Sequence, residues 1–99
     1  MSKLLSDDWI NLQKKFLDIA EEKVKKMKEA FEVKDFKLIK LYAHQLKGSG
    51  ASFGFQEITE ISEQIEQKCI QDFCFEDEVI KMIHKLADTV EKFKSNYIH

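Results

Sequence analysis

One histidine in this chain stands in surroundings that helical packing alone does not explain. All three glycines of the sequence, Gly48, Gly50 and Gly54, fall within seven residues just after His44. Gly48 and Gly50 interrupt a segment otherwise patterned as helix, and each costs about 1 kcal/mol relative to alanine in a helix interior. That is a sizeable concession for a small domain, whose whole stability is on the order of 5–15 kcal/mol. At about 100° per residue around a helix, Ile39, Ala43, Leu46, Gly50 and Phe53 share one side, and Lys37, Leu41, His44, Gly48 and Ala51 share the other. Gly50 thus belongs to the inward stripe, where a small residue lets a neighbouring helix close in. Gly48 belongs to the outward side, one turn after His44, with Ala51 beyond it. The result is an imidazole standing over a bare patch that a partner's backbone can approach closely.

An exposed imidazole is a nucleophile in its neutral form. Lys47, three residues after His44, and Lys40, four before it, lie on adjacent surface. A cation there can offset the charge of phosphoryl oxygens carried on the ring. Leu41, with Leu38 near it, offers an apolar rim for docking. A surface histidine beside a lysine is ordinary by itself; the unexplained Gly48 is what sets this one apart.

The elements that must hold these residues are helical throughout. The chain has 99 residues, enough for a single domain with one core. With 43% hydrophobic and 34% charged residues it has the balance of a folded globular protein rather than a disordered one. There is no proline, no Gly/Ser linker and no internal repeat, and apolar positions recur at helical spacing nearly everywhere. Phe16, Ala20, Val24, Met27 and Phe31 mark a first segment, opening after Ser6 as N-cap with Asp7 and Asp8 in the first turn. That stripe reads equally as one long helix or as a short extra N-terminal helix followed by a longer one. Asp35 caps a second segment, which Gly54 stops. Ile58, Ile61, Ile65 and Cys69 mark a third, a turn spans Gln71 to Phe75, and Val79, Ile83, Leu86, Val90, Phe93 and Tyr97 mark a fourth. Four apolar stripes with short connections predict an all-α fold, an antiparallel four-helix bundle.

The run His44-Gln-Leu-Lys47-Gly48-Ser49-Gly50-Ala51-Ser52-Phe53-Gly54 resembles the signature of histidine-containing phosphotransfer (HPt) domains. Their pattern is His-x-x-Lys-Gly-Ser followed, after a short spacer, by a hydrophobic residue and Gly. His44, Lys47, Gly48, Ser49, Phe53 and Gly54 match it, and Ala43 supplies the alanine common before the histidine. The resemblance covers essentially the whole chain in size and helical layout. It implies a carrier phosphorylated on Nε2 of His44, with Lys47 assisting and Gly48 giving the partner access, flanked by Leu41 and Ala51 as docking surface. It also implies receiver domains of response regulators or hybrid histidine kinases as partners, no kinase activity and no cofactor or metal of its own, the receiver bringing the Mg²⁺. Two departures stand out. Gly50 replaces the usual Ala or Ser, a change expected to loosen the helix. Glu66 falls where some members have a Gln that hydrogen-bonds the histidine, with Gln64 and Gln67 one register slip away; a carboxylate there could accept the Nδ1 proton and leave Nε2 free to attack.

Other readings fare less well. The net charge of −2 gives no basis for general nucleic-acid binding. No apolar run approaches the ~20 residues of a membrane span, and the first residues have no signal-peptide core, so a cytoplasmic monomer is expected. Cys69 and Cys74 have no metal or redox spacing. A di-metal carboxylate bundle wants Glu-x-x-His pairs, but Leu41 precedes His44 by three and Lys81 precedes His84 by three. His84 and His99 read as incidental. The serious alternative is a helical interaction module that carries no phosphate.

Overall fold

The computed structural model describes residues 2–69 and 75–97, with side chains from Asp7 onward. Four helices follow one another: α1 (Ser2–Glu32), α2 (Phe36–Ser52), α3 (Gln56–Lys68) and α4 (Glu76–Ser95). There is no strand among the described residues. Each helix packs on its neighbour in sequence, and α1 closes the ring against α4. Side-chain pairs fix the directions. Phe31 meets Phe36 at one end of α1 and α2, while Gln13 Nε2 donates to the Phe53 carbonyl at the other. Lys92, late in α4, pairs with Glu57, early in α3, at 3.3 Å. Lys94 pairs with Asp18 and Glu21 of α1 at 3.0 and 2.9 Å. The bundle is antiparallel throughout, as the four stripes require.

The N-terminal expectation needs correction. A single helix runs from Ser2 to Glu32, so there is no separate short helix, and Ser6 lies inside α1 rather than capping it. Neither glycine nor proline interrupts this stretch, so nothing forces the chain to start afresh at a good capping residue. The turn expected over Gln71–Phe75 falls, apart from Phe75, outside the described residues, as do Cys74 and His99.

The other caps follow the sequence closely. The Asp35 carboxylate accepts from the Leu38 N–H at 3.1 Å, satisfying one donor at the start of α2. At its far end Gly54 takes φ +86°. There the Gly54 N–H reaches the Ala51 carbonyl at 3.2 Å and the Phe55 N–H reaches that of Gly50 at 2.8 Å, the paired bonds of a Schellman stop. α1 ends in the same way, but with Lys34 at φ +59° in the left-handed position usually given to glycine. The Lys34 ammonium bonds Glu76 and sits over the Phe31 ring. Glu76, Asp77 and Glu78 open α4 and Lys92 and Lys94 close it, each complementing the helix dipole.

The core holds the four stripes: Leu17, Ala20, Val24 and Met27; Ile39, Ala43 and Leu46; Ile58, Ile61 and Ile65; Val79, Ile83, Leu86 and Val90. Phe93 and Tyr97 are partly buried against it. One end is closed by aromatics: Trp9 stacks on Phe53 (5.9 Å between centroids), Phe53 on Phe16 (5.2 Å) and Phe16 on Phe55 (5.6 Å), and Phe55 meets Phe93 at a tilt (5.0 Å). That cluster anchors the end of α2, while its middle, where His44 sits, stays open.

Candidate functional site

α2 turns Ile39, Ala43, Leu46 and Gly50 into the core, so the residues half a turn away face solvent. His44, Leu41, Gly48, Ala51 and Lys37 are all exposed, as their phase requires. The His44 side chain is 65% exposed. A Cβ placed on Gly48 meets nothing within 4 Å. Leu38 differs from expectation: it is partly buried against the core, because its phase turns it toward α1 rather than to the docking side.

Gly50 is buried on the inward stripe, as its phase requires, and a neighbouring helix closes in on it. A Cβ at Gly50 would fall 2.6 Å from Thr59 Oγ1 and 3.2 Å from the Phe55 carbonyl and the Thr59 nitrogen. The close approach lets the Thr59 hydroxyl donate to the Lys47 carbonyl at 2.8 Å, tying α3 to α2 at the residue next to Gly48. Seven residues, or two turns, further along the same face of α3 comes Glu66.

Glu66 reaches back across the helix pair. Its Oε2 is 2.7 Å from His44 Nδ1 and its Oε1 is 3.1 Å from Lys47 Nζ. Only 12% of its side chain is exposed. Partial burial pushes the carboxyl up, but hydrogen bonds from Lys47 and His44, with the charges behind them, outweigh this and hold it below its ordinary value. An ionised carboxylate can only accept, so the bonded Nδ1 must carry the proton. Nε2 is then the nitrogen with a lone pair, and it makes no hydrogen bond among the described residues. Below the ring, Lys37, Lys40, Leu41, His44 and Glu66 line an open hollow.

The structure therefore brings together His44, Lys47 and Glu66, and keeps Gly48, Leu41 and Ala51 open beside them. Gln64 and Gln67 are exposed and take no part, which resolves the register in favour of Glu66. His84 is exposed on α4, a helix that does not pack on α2. Sequence reasoning missed Thr59. Its spacing of seven from Glu66 was the available signal, but that spacing means something only once Gly50 has set which face of α3 lies against α2.

The model of the Hpt domain family matches residues 11–94. The chain belongs to this family. It is also 28% identical, over 87 residues, to the phosphorelay intermediate protein rdeA of Dictyostelium discoideum, an alignment covering 83% of this chain and 34% of that protein. The chain thus spans about a third of the length of that curated relative. No solved structure matches it significantly. Hpt domains are helical bundles that act as phosphotransfer carriers in two-component signalling, not as kinases, and their partners are receiver domains. This Hpt domain has no helix, among its described residues, long and apolar enough to cross a membrane.

Proposed function

We propose that His44 is the phosphoacceptor of this Hpt domain, and that the chain works as a monomeric relay between receiver-domain aspartates in the cytoplasm. The Nε2 lone pair of His44 attacks the phosphorus of an aspartyl phosphate. The P–O bond to the aspartate breaks, and its electron pair returns to that carboxylate. The ring now carries the phosphoryl group on Nε2 and keeps its proton on Nδ1, and the positive charge so created faces Glu66. Transfer onward is the same step in reverse, with the N–P electron pair returning to the ring.

One observation carries this reading: the 2.7 Å contact between His44 Nδ1 and Glu66 Oε2 on an otherwise exposed imidazole. It orients the ring and leaves its other nitrogen facing outward. Phosphoryl transfer depends mainly on positioning and charge stabilisation, so a carrier needs little beyond a presented nucleophile and a nearby cation. Lys47 supplies the cation, and it can turn from Glu66 toward the arriving phosphoryl oxygens. Gly48, Leu41 and Ala51 leave the approach unobstructed.

The test is incubation with a panel of phosphorylated receiver domains, followed by intact mass and peptide mapping. A single acid-labile phosphoryl group on the peptide containing His44 is expected. A phosphoryl group on the peptide containing His84, or none with any receiver, refutes the assignment.

A further inference from the structure

The face around His44 is divided by charge. α2 carries Lys37, Lys40 and Lys47 and no acidic residue. α3 carries Glu57, Glu60, Glu63 and Glu66, with one basic residue, Lys68, at its end. The two helices lie side by side and antiparallel, so Lys37 and Lys40 of α2 and Glu60 and Glu63 of α3 lie to opposite ends of the Lys47–Glu66 contact, with His44 between them.

Here a single ion pair, Lys47–Glu66, crosses from α2 to α3 among the described residues. Glu57 is drawn away to Lys92 of α4. Lys37, Lys40, Glu60 and Glu63 have no ionic partner among the described residues; Lys37, Glu60 and Glu63 are exposed and Lys40 is half-buried. Charges left open beside a docking site act on encounter and register more than on final affinity.

We propose that this two-signed face selects the partner: the receiver domain that docks here presents acidic groups over Lys37 and Lys40 and basic groups over Glu60 and Glu63, which fixes its orientation on His44. The inference rests on the reading of His44 as phosphoryl carrier. A surface with one sign to each side of His44 is also complementary to itself under a two-fold axis, so a second copy is the competing occupant. Such a dimer would cover both His44 rings, and a carrier must leave its ring accessible.

The test uses three variants: Lys37→Glu with Lys40→Glu, Glu60→Lys with Glu63→Lys, and all four together. The quadruple variant keeps the net charge and inverts only its arrangement. Transfer is timed from a phosphorylated receiver that exchanges with the wild type, at roughly 0.02 M and 0.5 M salt, which span long and short screening lengths. Each rate is divided by the rate of phosphorylation by phosphoramidate, a small donor that needs no docking. Thermal melts followed by circular dichroism confirm folding.

Each double reversal is expected to slow receiver transfer about tenfold at low salt, the quadruple at least as much, and the differences should collapse at high salt. A quadruple variant that transfers at the wild-type ratio overturns the proposal, as does a loss of equal size at both salt concentrations. A concentration-dependent dimer of the wild type that the reversals dissolve, seen by sedimentation, also overturns it in favour of the second copy. Failure of phosphoramidate and receiver alike to phosphorylate wild-type His44 would instead refute the carrier reading itself.

Discussion

Glu66 Oε2 lies 2.7 Å from Nδ1 of His44, and the same carboxylate holds Lys47 through its other oxygen at 3.1 Å. In the proposed transfer this one nearly buried anion orients the nucleophile and restrains the cation that later serves the phosphoryl group. In that proposal Glu66 acts through His44 rather than on the phosphoryl group, as a positioning residue.

The first prediction concerns its ionisation. The Glu66 carboxyl is held below its ordinary value in the folded protein. A depressed carboxyl contributes stability that is present above the unfolded value, near pH 4, and is lost as pH falls through the lower folded value. Wild type and Glu66→Gln should therefore differ by on the order of 1 kcal/mol at neutral pH, and the gap should close in acid. Urea unfolding at a series of pH values reads this. At neutral pH Glu66→Ala should slow phosphorylation by phosphoramidate about tenfold, the rate cost of one charge-assisted hydrogen bond, with Glu66→Gln recovering part of the loss through its amide oxygen.

The two helix-interior glycines should respond oppositely to alanine. Gly48→Ala adds a methyl group to open space and should raise stability by up to about 1 kcal/mol. Gly50→Ala drives its Cβ to 2.6 Å from Thr59 Oγ1 and 3.2 Å from backbone atoms, and should cost about 1–3 kcal/mol. It should also impair phosphorylation, because the shift of Thr59 carries Glu66 with it. Gly48→Gln should fold normally yet slow transfer from a receiver by covering the approach to His44. Equal stabilities for the two alanine variants, by chemical denaturation, would count against this account.

The helix phases were legible in the sequence because one face of each helix had to be apolar: the same wheel that buried Leu46 exposed His44 and Gly48. The Asp35 cap and the Gly54 stop were legible because their chemistry is local. The start of α1 was not, since Ser6 is a cap only if the chain departs from helix before it, and nothing in residues 2–6 breaks a helix. The Glu66–His44 contact could be placed by analogy alone. It depends on the register of α3 against α2, set by Gly50 and Thr59, and such long-range register leaves no periodic trace in either helix.

Ser62 offers a test of the packing itself. It is fully buried in α3 between the Ile58 and Ile65 turns, and its hydroxyl has no hydrogen-bond partner among the described residues. A buried hydroxyl without a partner forfeits its hydration and gains nothing in return. Ser62→Ala should stabilise the domain by about 1 kcal/mol, combining the relieved desolvation with better helix propensity. A midpoint of urea unfolding lower than the wild type's would show that the hydroxyl is satisfied in solution.

The last prediction separates the proposed acceptor from its proposed helper. His44 is exposed with Nε2 unpartnered among the described residues, whereas His84 lies on α4, which does not pack on α2. A phosphoryl group brings about two negative charges. Lys47, 35% exposed and already within the cluster, is the cation placed to offset part of them. Removing it should leave the nucleophile intact but forfeit one partly exposed charge-assisted contact of about 1.5–3 kcal/mol, or roughly one to two powers of ten in rate. It also leaves the Glu66 carboxylate facing the incoming anion with only His44 to balance it, so the loss should sit at the upper end and shrink when Glu66→Gln is added. A time course of transfer from a labelled receiver domain should therefore show no label on His44→Gln, slow labelling of Lys47→Ala, partial recovery in Lys47→Ala/Glu66→Gln, and wild-type labelling of His84→Gln. Label retained by His44→Gln would place the acceptor on another residue, and a double variant slower than Lys47→Ala would show that Glu66 serves the ring more than it opposes the phosphate.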